Sequence, residues 1–477
     1  MWLWGLMTAS PGRRSGVLQG PRAAIDLADL AVSTSLHGSL ENLRGRCVLI
    51  STQDALSAGL MLIELDGVAR RIVLCTPDLS PEHLAYIIGT AGVEACVTDA
   101  ADPAFGRMPR LAVSSLQGPR SLVALHGERR ASHETEWVLL TSGTTGVPKL
   151  VLHTLATLTS AICGCPTPAT AGTTDSQGAI VWSTFYDIRR YGGLQIFLRA
   201  MLSGSLVLSG PDEPVPNFLG RAATARITHI SGTPSHWRRA LMSGAAARIA
   251  PRYVRLSGEI ADQAILDSLR ATYPEARVAH AFATTEAGVA FEIDDGLGGF
   301  PARLIAAPDE SQAHTGDVEL KVENETLHIR SPGNALRYLG EGAPALKAAD
   351  GFVNAGDRVE LKDGRYHFLG RRGGIVNVGG LKVHPEEVEA VINAHPWVRM
   401  SLVKPRRNPI TGAVVAADVV LAGAAHGARE RPSEEALRGD ILEHCRRALA
   451  PHKVPAIIRF VPALEVSASG KLVRPDA

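Results

Sequence analysis

Short apolar runs alternate with amphipathic stretches through roughly the first two-thirds of the chain. Residues 48–50, 71–75 and 95–97 are runs typical of buried strands, and a helical stretch around 83–88 separates the last two. The same alternation recurs in the runs 180–182, 206–208, 228–230, 254–256 and 277–279. Strands and helices in alternation predict an α/β fold with a mostly parallel sheet that helices cover on both faces.

The pattern changes near residue 315. Residues 318–322 and 326–330 alternate polar and apolar positions, which predicts half-exposed antiparallel strands in a smaller β subdomain. Beyond the glycine-rich break at 370–374 follow a helix that Pro385 opens, strands near 401–403 and 414–421, and a helix over 434–448; 421–432 is predicted as a surface loop.

A chain of 477 residues exceeds the usual size of one hydrophobic core. We therefore predict a large N-terminal domain over residues 1–370 and a small mobile α+β domain over 371–477.

Charge and composition narrow the range of partners. The 49 basic and 48 acidic side chains nearly cancel, so no electrostatic signal indicates a nucleic-acid partner. The apolar N-terminus, residues 1–7, is too short to span a membrane, and the six cysteines include no CxxC pair. We expect no membrane span and a reducing, cytoplasmic setting.

The most informative stretch lies at residues 141–149, directly after the apolar run 137–140. It supplies four hydroxyls, two glycines and one lysine, with nothing bulky before Val147. Backbone N–H groups and hydroxyls of such a loop can surround phosphate oxygens while the lysine adds a positive charge. The glycine spacing and the Pro148-Lys149 ending differ from the common P-loop.

This stretch resembles the phosphate-binding signature of the adenylate-forming superfamily, which contains acyl- and aryl-coenzyme A synthetases, peptide-synthetase adenylation domains and luciferases. The resemblance extends over residues 45–474, with the motifs in the family's order. It implies that the β- and γ-phosphates of ATP are enclosed by Thr141, Ser142, Gly143, Thr144, Thr145 and Lys149.

Two further clusters follow predicted strands, where ligands collect in parallel sheets. One comprises Ser257, Gly258 and Glu259, predicted to contribute to the ATP site. In the other, residues 281–286, the resemblance implies adenine stacking by Phe282, a hydrogen bond from Thr285 to the α-phosphate, and Mg²⁺ binding by Glu286. Ala281 and Ala283 replace the family's usual glycines, which narrows the space beside the acyl carbon.

The resemblance assigns roles to the C-terminal third as well. Asp357 and Arg371 would bind the ribose, and Gly379 and Gly380 would line a pantetheine tunnel, with a plain β-turn as the alternative explanation of these glycines. Gly373 stands where relatives carry a charged hinge residue. Lys471 would reach the active site only in the adenylating orientation and stabilise transition-state charge there.

The stretch 183–193 is the least specific. Tyr186 and Tyr191 are predicted either to wall an acyl or aryl pocket or to pack in the core. Asp187 is not predicted to bind a substrate ammonium group, because 17 positions separate it from Gly204. His153 is predicted to open a helix, with capping, packing or chemistry all open.

These residues together predict an acid–thiol ligase. It would activate a small carboxylic acid with ATP and Mg²⁺ to an acyl-AMP, then transfer the acyl group to a thiol, most simply that of coenzyme A. Two alternatives remain. One is a stand-alone enzyme that transfers the acyl group either to the phosphopantetheine of a carrier protein or to an amine. The other is a non-catalytic nucleotide-binding relative. The alanines at 281 and 283, with Phe282, favour a small or planar apolar acid.

Overall fold

The structure, a computed structural model, describes residues 1–9, 16–36, 40–99, 112–115, 122–125, 127–141, 147–163, 179–305, 318–371, 376–378, 381–408, 412–422, 432–466 and 471–473. Its helices are α1 (Leu3–Thr8), α2 (Ala55–Leu65), α3 (Pro81–Ala91), α4 (Leu155–Cys163), α5 (Tyr191–Ser203), α6 (Val215–Thr224), α7 (Pro234–Met242), α8 (Gln263–Thr272), α9 (Pro385–Asn393) and α10 (Glu434–Ala448). Short 3-10 turns lie at Asp29–Ala31, Glu41–Leu43, Ala245–Arg248, Ala302–Leu304 and Pro451–Lys453.

The strands of the N-terminal half are β1 (Val17–Gln19), β2 (Ala24–Asp26), β3 (Ser33–Thr34), β4 (Cys47–Ser51), β5 (Arg71–Cys75), β6 (Ala95–Thr98), β7 (Ala112–Ser115), β8 (Val123–Ala124), β9 (Glu136–Thr141), β10 (Lys149–Thr154), β11 (Val181–Thr184), β12 (Ser205–Leu208) and β13 (His229–Gly232). Those that follow are β14 (Tyr253–Ser257), β15 (Arg277–Thr284), β16 (Gly288–Ile293), β17 (Phe300–Pro301), β18 (Glu319–Glu323), β19 (Thr326–Arg330), β20 (Arg337–Leu339), β21 (Val353–Lys362), β22 (Arg365–Arg371), β23 (Val376–Val378), β24 (Leu381–Val383), β25 (Val398–Asn408), β26 (Gly412–Leu421) and β27 (Ile457–Phe460).

Two large sheets form the N-terminal part. The first has the strand order β16-β15-β14-β13-β11-β12-β1-β2 and the second β20-β10-β9-β5-β4-β6-β7. Neighbouring strands are parallel in the interior of both sheets, and antiparallel pairs lie toward the edges, at β15–β16, β1–β2, β9–β10 and β10–β20. The α/β prediction with a mostly parallel sheet is therefore confirmed.

The main apolar core lies between these two sheets. It contains residues of α2 and α5, such as Phe197 of α5, together with inward-facing residues of both sheets, such as Trp137 and Trp182. Every residue of α2 is buried, as expected for a helix enclosed on all sides. Gly59 of α2 allows that packing, because a Cβ there would lie 2.9 Å from a methyl carbon of Leu18.

Two smaller units complete the fold. The five-stranded sheet β17-β22-β21-β19-β18 is antiparallel and contains the two strands predicted from the alternation at 318–330. The C-terminal unit packs α9 and α10 against the β25-β26-β27 sheet, with its own apolar cluster of residues between Val376 and Phe460. The boundary at 371 stays a prediction, and residues 372–375 and most of the predicted loop 421–432 lie outside the described ranges.

The N-terminal apolar stretch forms helix α1, which is anchored to Asp66 at the end of α2. The backbone N–H of Leu3 donates to Asp66 Oδ2 at 2.6 Å, and the indole N–H of Trp137 donates to Oδ1 of the same carboxylate at 2.8 Å. Of the helices in the described ranges, none has the length and apolarity needed to cross a membrane.

His229 of β13 is buried beside Trp182, with ring centroids 4.6 Å apart, and burial lowers its pKa from 6.5 to about 4. The unfolded chain therefore binds this proton more tightly. The stabilisation is complete above pH 6.5 and is lost as the pH falls toward 4, by roughly 3 kcal/mol. We expect His229→Phe to flatten the decline in unfolding free energy over that window, as measured by urea denaturation. His83→Phe, at a half-exposed site, is the control, and equal slopes in all three proteins would contradict the assignment.

Candidate functional site

Three strands end at one edge of the fold, and each is followed by a predicted site segment. β9 ends at Thr141, β14 at Ser257 and β15 at Thr284. Thr141 pairs with Lys149 across the β9–β10 ladder, so the loop between them closes a hairpin. Ser142, Gly143, Thr144 and Thr145 lie outside the described residues.

Both ends of this loop lie near Glu286, the candidate Mg²⁺ ligand. The Thr141 hydroxyl donates to Glu286 Oε1 at 3.4 Å, and the Tyr338 hydroxyl donates to the same oxygen at 3.3 Å. Lys149 Nζ lies 5.3 Å from the centre of the Tyr338 ring. Burial, and next the charge of Glu286, raise the pKa of the Tyr338 hydroxyl, which keeps it a donor. A half-buried carboxylate between two hydroxyl oxygens suits a hard cation such as Mg²⁺, whose other ligands would be oxygens of phosphate and water.

His153 fixes the backbone of the neighbouring Thr285. Its Nε2 lies 2.7 Å from the Thr285 carbonyl oxygen, and its Nδ1 lies 2.8 Å from Thr157 Oγ1. Since a carbonyl only accepts, Nε2 carries the proton and Nδ1 accepts from Thr157. Burial lowers the pKa of His153 to about 4, so the ring is neutral near pH 7. The prediction that His153 opens a helix is wrong: it lies within β10, where pairing with β9 extends the strand to Thr154, and α4 begins at Leu155.

The segment after β14 binds the C-terminal tail of the chain. Glu259 Oε1 accepts from the backbone N–H of Leu472 at 3.0 Å, and the two carboxylate oxygens also accept from the backbone and hydroxyl of Ser235 at 2.9 and 3.0 Å. Gly258 has a φ of +86°, and a Cβ built there would lie 3.6 Å from Cε of Lys471. Lys471 therefore lies over the end of β14, and the Glu259 carboxylate bonds to protein groups.

Further contacts attach the C-terminal unit, residues 376–473, to the rest of the chain; we call this unit the lid. Asn393 Nδ2 donates to Asp262 Oδ2 at 3.2 Å, and Arg358 Nη1 donates to His384 Nε2 at 3.1 Å. Gly370 has a φ of +105°, and a side chain there would collide with the carboxylate of Glu386. These contacts join segments distant in sequence and carry no local motif, so sequence reasoning missed them, as it missed Tyr338.

The residues of β15 divide between two faces. Phe282 packs in the aromatic cluster of the antiparallel sheet, with its ring centroid 4.7 Å from that of Phe368 in a stacked arrangement and 5.8 Å from that of Phe291. Ala281 pairs with Ser257, and Ala283 packs against the main core on the other face. Phe368 thus covers one face of the ring predicted to stack on adenine.

The candidate ribose ligands are neighbours. Asp357 of β21 pairs directly with Arg371 of β22, and Cβ atoms in such cross-strand pairs lie about 5 Å apart. The Asp357 side chain is half-buried; that of Arg371 is outside the described part of the chain, as are Gly379 and Gly380.

Both candidate pocket tyrosines are buried. The Tyr186 hydroxyl donates to Ser257 O at 2.6 Å, and the Tyr191 hydroxyl interacts with the backbone of Val289. The Tyr191 ring centroid lies 5.8 Å from that of His153, which places Tyr191 beside the site. Asp187 forms a bidentate pair with Arg189, 2.8 Å on each side, which supports the prediction that it binds no ammonium substrate.

Comparison with known proteins gives matches along most of the chain. A family model described as AMP-binding enzyme matches residues 70–339, and one described as AMP-binding enzyme C-terminal domain matches 387–471. The human mitochondrial acyl-coenzyme A synthetase ACSM5 is 37% identical over 124 residues, 26% of this chain and 21% of that protein. The matched segment thus spans about a fifth of that relative.

Other matches cover nearly the full length of the chain. The 2-succinylbenzoate–CoA ligase of Bacillus cereus is 25% identical over 487 residues, 99% of this chain and 96% of that protein. Among solved structures, an anthranilate CoA ligase in complex with anthranoyl-AMP has a TM-score of 0.78 at 19% identity, covering 99% of this chain and 95% of that one. At this identity the structural match establishes the fold.

We predict that His153→Leu destabilises the protein by about 1–3 kcal/mol, because Thr285 O loses its donor, whereas the Thr157 hydroxyl keeps its bond to Thr154 O at 3.0 Å. His153→Gln is the matched control, since its amide N–H can replace the ring Nε2 donor, and it should cost clearly less. Urea denaturation at pH 7.5 measures both. Equal losses in the two variants would mean that ring packing, rather than the hydrogen bond to Thr285, gives His153 its role.

Proposed function

The chain belongs to the AMP-binding enzyme family, and from this premise we propose that it is an acid–thiol ligase. It activates a carboxylic acid with ATP and transfers the acyl group to a thiol, most simply that of coenzyme A. In the first step a carboxylate oxygen attacks the α-phosphorus of ATP, which forms acyl-AMP and releases pyrophosphate. In the second step the thiol attacks the acyl carbon, and AMP leaves.

One observation carries this proposal. The tail of the lid lies against the end of β14, with Leu472 bonded to Glu259 and Lys471 over Gly258. In this position the ammonium group of Lys471 would bring a positive charge close to the reacting carboxylate and the α-phosphate. Such preorganised charge stabilises the transition state more than the ground state.

In the adenylation step the remaining site residues position and neutralise phosphate groups. Thr141, Lys149 and the loop between them would bind the β- and γ-phosphates, and Thr285, held by His153, would donate to the α-phosphate. Glu286 would hold Mg²⁺, which supplies positive charge to the phosphate oxygens. The paired Asp357 and Arg371 would bind the ribose.

In the transfer step the lid would rotate about residues 371–373 and withdraw Lys471. Gly379 and Gly380 would then line the passage for the pantetheine arm. Contacts between lid and N-terminal part such as Asn393–Asp262 and Arg358–His384 are hydrogen bonds between polar groups, which water can replace when they open. This supports a lid that docks reversibly.

Two experiments separate this proposal from its alternatives. Pyrophosphate release across a library of aryl, short-chain and amino acids tests for adenylation, and its absence with every acid would indicate a non-catalytic nucleotide-binding relative. Product formation with coenzyme A, compared with a panel of carrier proteins and amines, identifies the acceptor.

We predict that Lys471→Ala slows acyl-AMP formation by a few hundredfold, about 3 kcal/mol, because transition-state charge loses a donor. Thioester formation from preformed acyl-AMP should stay within a few-fold of wild type. Each half-reaction is measured separately, with exposed Lys362→Ala as the control. Equal loss in both half-reactions would contradict a lysine that serves adenylation alone.

We predict that Glu259→Gln also slows adenylation, because Leu472 loses a charged acceptor and an amide nitrogen in place of Oε2 cannot accept from the Ser235 backbone N–H. A hydrogen bond to a charged group contributes about 1.5–3 kcal/mol, so the rate should fall roughly ten- to a hundredfold. The transfer half-reaction should be unchanged or faster. Exposed Glu341→Gln is the control, and a Glu259→Gln enzyme with normal adenylation would show that this contact does not hold the tail in place.

A further inference from the structure

A group of buried charges lies between helix α5 and the first sheet, deeper than the site described above. Arg199 of α5 is 8% exposed and Arg255 of β14 is 2% exposed. Both interact electrostatically with Glu292 of β16. Buried guanidinium groups are costly unless paired and hydrogen-bonded, so each partner matters.

The carboxylate that both arginines face, that of Glu292, is half-buried and already accepts hydrogen bonds from other groups. Glu292 Oε2 accepts from Arg255 Nε at 3.1 Å, and Oε1 accepts from Arg277 Nη2 at 3.0 Å. The Tyr253 hydroxyl also donates to it. Arg277, at the protein surface, has Asp294 as a second partner at 2.6 Å.

The two buried arginines retain unused donors. Among the described residues, Nε of Arg199 and Nη2 of Arg255 have no hydrogen-bond partner. Two buried guanidinium groups thus face one carboxylate, which also binds Arg277. This leaves an excess of positive charge between α5 and the first sheet. Burial, and next the charge of Arg255, lower the pKa of Arg199, in keeping with a cation short of counter-charge.

This excess charge lies on the face of the sheet that carries the predicted acid pocket. Ala279, Ala281 and Ala283 occupy every second position of β15 and therefore share this face. Ala281 pairs with both Ser257 and Glu292. The positive charge of Arg255 also acts on the hydroxyls of Tyr186 and Tyr191. Small side chains and two tyrosine rings therefore separate the strand ends from the arginines.

Two independent estimates give the distance between the two arginines and the predicted site of reaction. Ala281, opposite Glu292, lies four residues before Thr285, or about 13 Å along the strand. Arg199 lies eight residues after Tyr191, which contacts His153 at the site, or about 12 Å along the helix. The arginines are thus one small-molecule length from the reacting end.

We propose that Arg199 and Arg255 bind a second anionic group of the acid substrate, so that the enzyme activates a dicarboxylic acid at the end away from these arginines. This rests on the proposed ligase function. The planar guanidinium fork suits a carboxylate, which would fill the unused donors and balance the excess charge. An entirely apolar acid, as the alanines alone suggest, would leave both donors buried and unbonded.

The test compares dicarboxylic acids with their monoamides, which match them in size but lack the second charge. Wild-type enzyme should prefer the diacid roughly a hundredfold or more in kcat/KM for pyrophosphate release, because the amide leaves a buried charge uncompensated. Arg199→Gln should lose this preference because its kcat/KM falls for the diacid and stays unchanged for the monoamide. Arg130→Gln, which removes an exposed guanidinium outside this group, should keep it.

Equal use of diacids and monoamides by the wild-type enzyme would overturn the proposal without any variant. So would an Arg199→Gln enzyme that loses both substrates equally, since that indicates a structural role. Calorimetric binding of the diacid provides a readout independent of turnover. Arg199-dependent binding without pyrophosphate release from any acid would refute the ligase function and leave the anion site, whereas activation of monocarboxylic acids alone would refute the anion site and leave the ligase.

Discussion

The parallel register between β14 and β15 fixes where the candidate site residues lie. Because Ser257 pairs with Ala281, the two strands end side by side, and the segments that follow them, Gly258–Glu259 and Thr285–Glu286, emerge at the same edge. Side-chain partners then hold each segment: Tyr186 binds the carbonyl of Ser257, and His153 binds that of Thr285. Rigid strand ends with fixed carbonyls can position a phosphate group without further ordering on binding.

The lid depends on that edge but does not share its core. Its apolar cluster lies wholly between Val376 and Phe460, while the bonds between Glu259 and Leu472 and between Asp262 and Asn393 attach it to the N-terminal part. Separate cores joined by polar contacts permit one unit to turn against the other at little cost in exposed apolar surface. A few hydrogen bonds therefore hold Lys471 near the strand ends, and the lid can release Lys471 when these bonds open.

The sequence predicted the fold well where short-range pattern decides it. Apolar runs located β4, β5, β14 and β15, because a strand buried on both faces leaves a continuous apolar signal. The nine-residue loop and the strand-end clusters could be proposed as site segments for a similar reason, since the chemistry predicted for them is local. His153 was misassigned because a short apolar run such as 150–152 before a helix is compatible with either element, and only pairing with β9 decides it.

The rest could not be predicted because it depends on contacts between distant segments. Glu259 and Leu472 are 213 positions apart, and Tyr338 reaches Glu286 only because β20 pairs with β10. Arg199 sits in an apolar helix, where one charge usually snorkels to solvent. That it is buried beside a second arginine, with only a shared carboxylate near it, emerges from packing alone.

The most direct test of the ATP site is a crystal structure of the protein with a non-hydrolysable ATP analogue and Mg²⁺. Phosphates between Thr141, Thr285 and Lys471, with the purine beside Phe282 and the metal on Glu286, are the expected result. Phosphates bound away from the ends of β9 and β15, or a tail that leaves the Glu259 contact when nucleotide binds, would contradict the assignment.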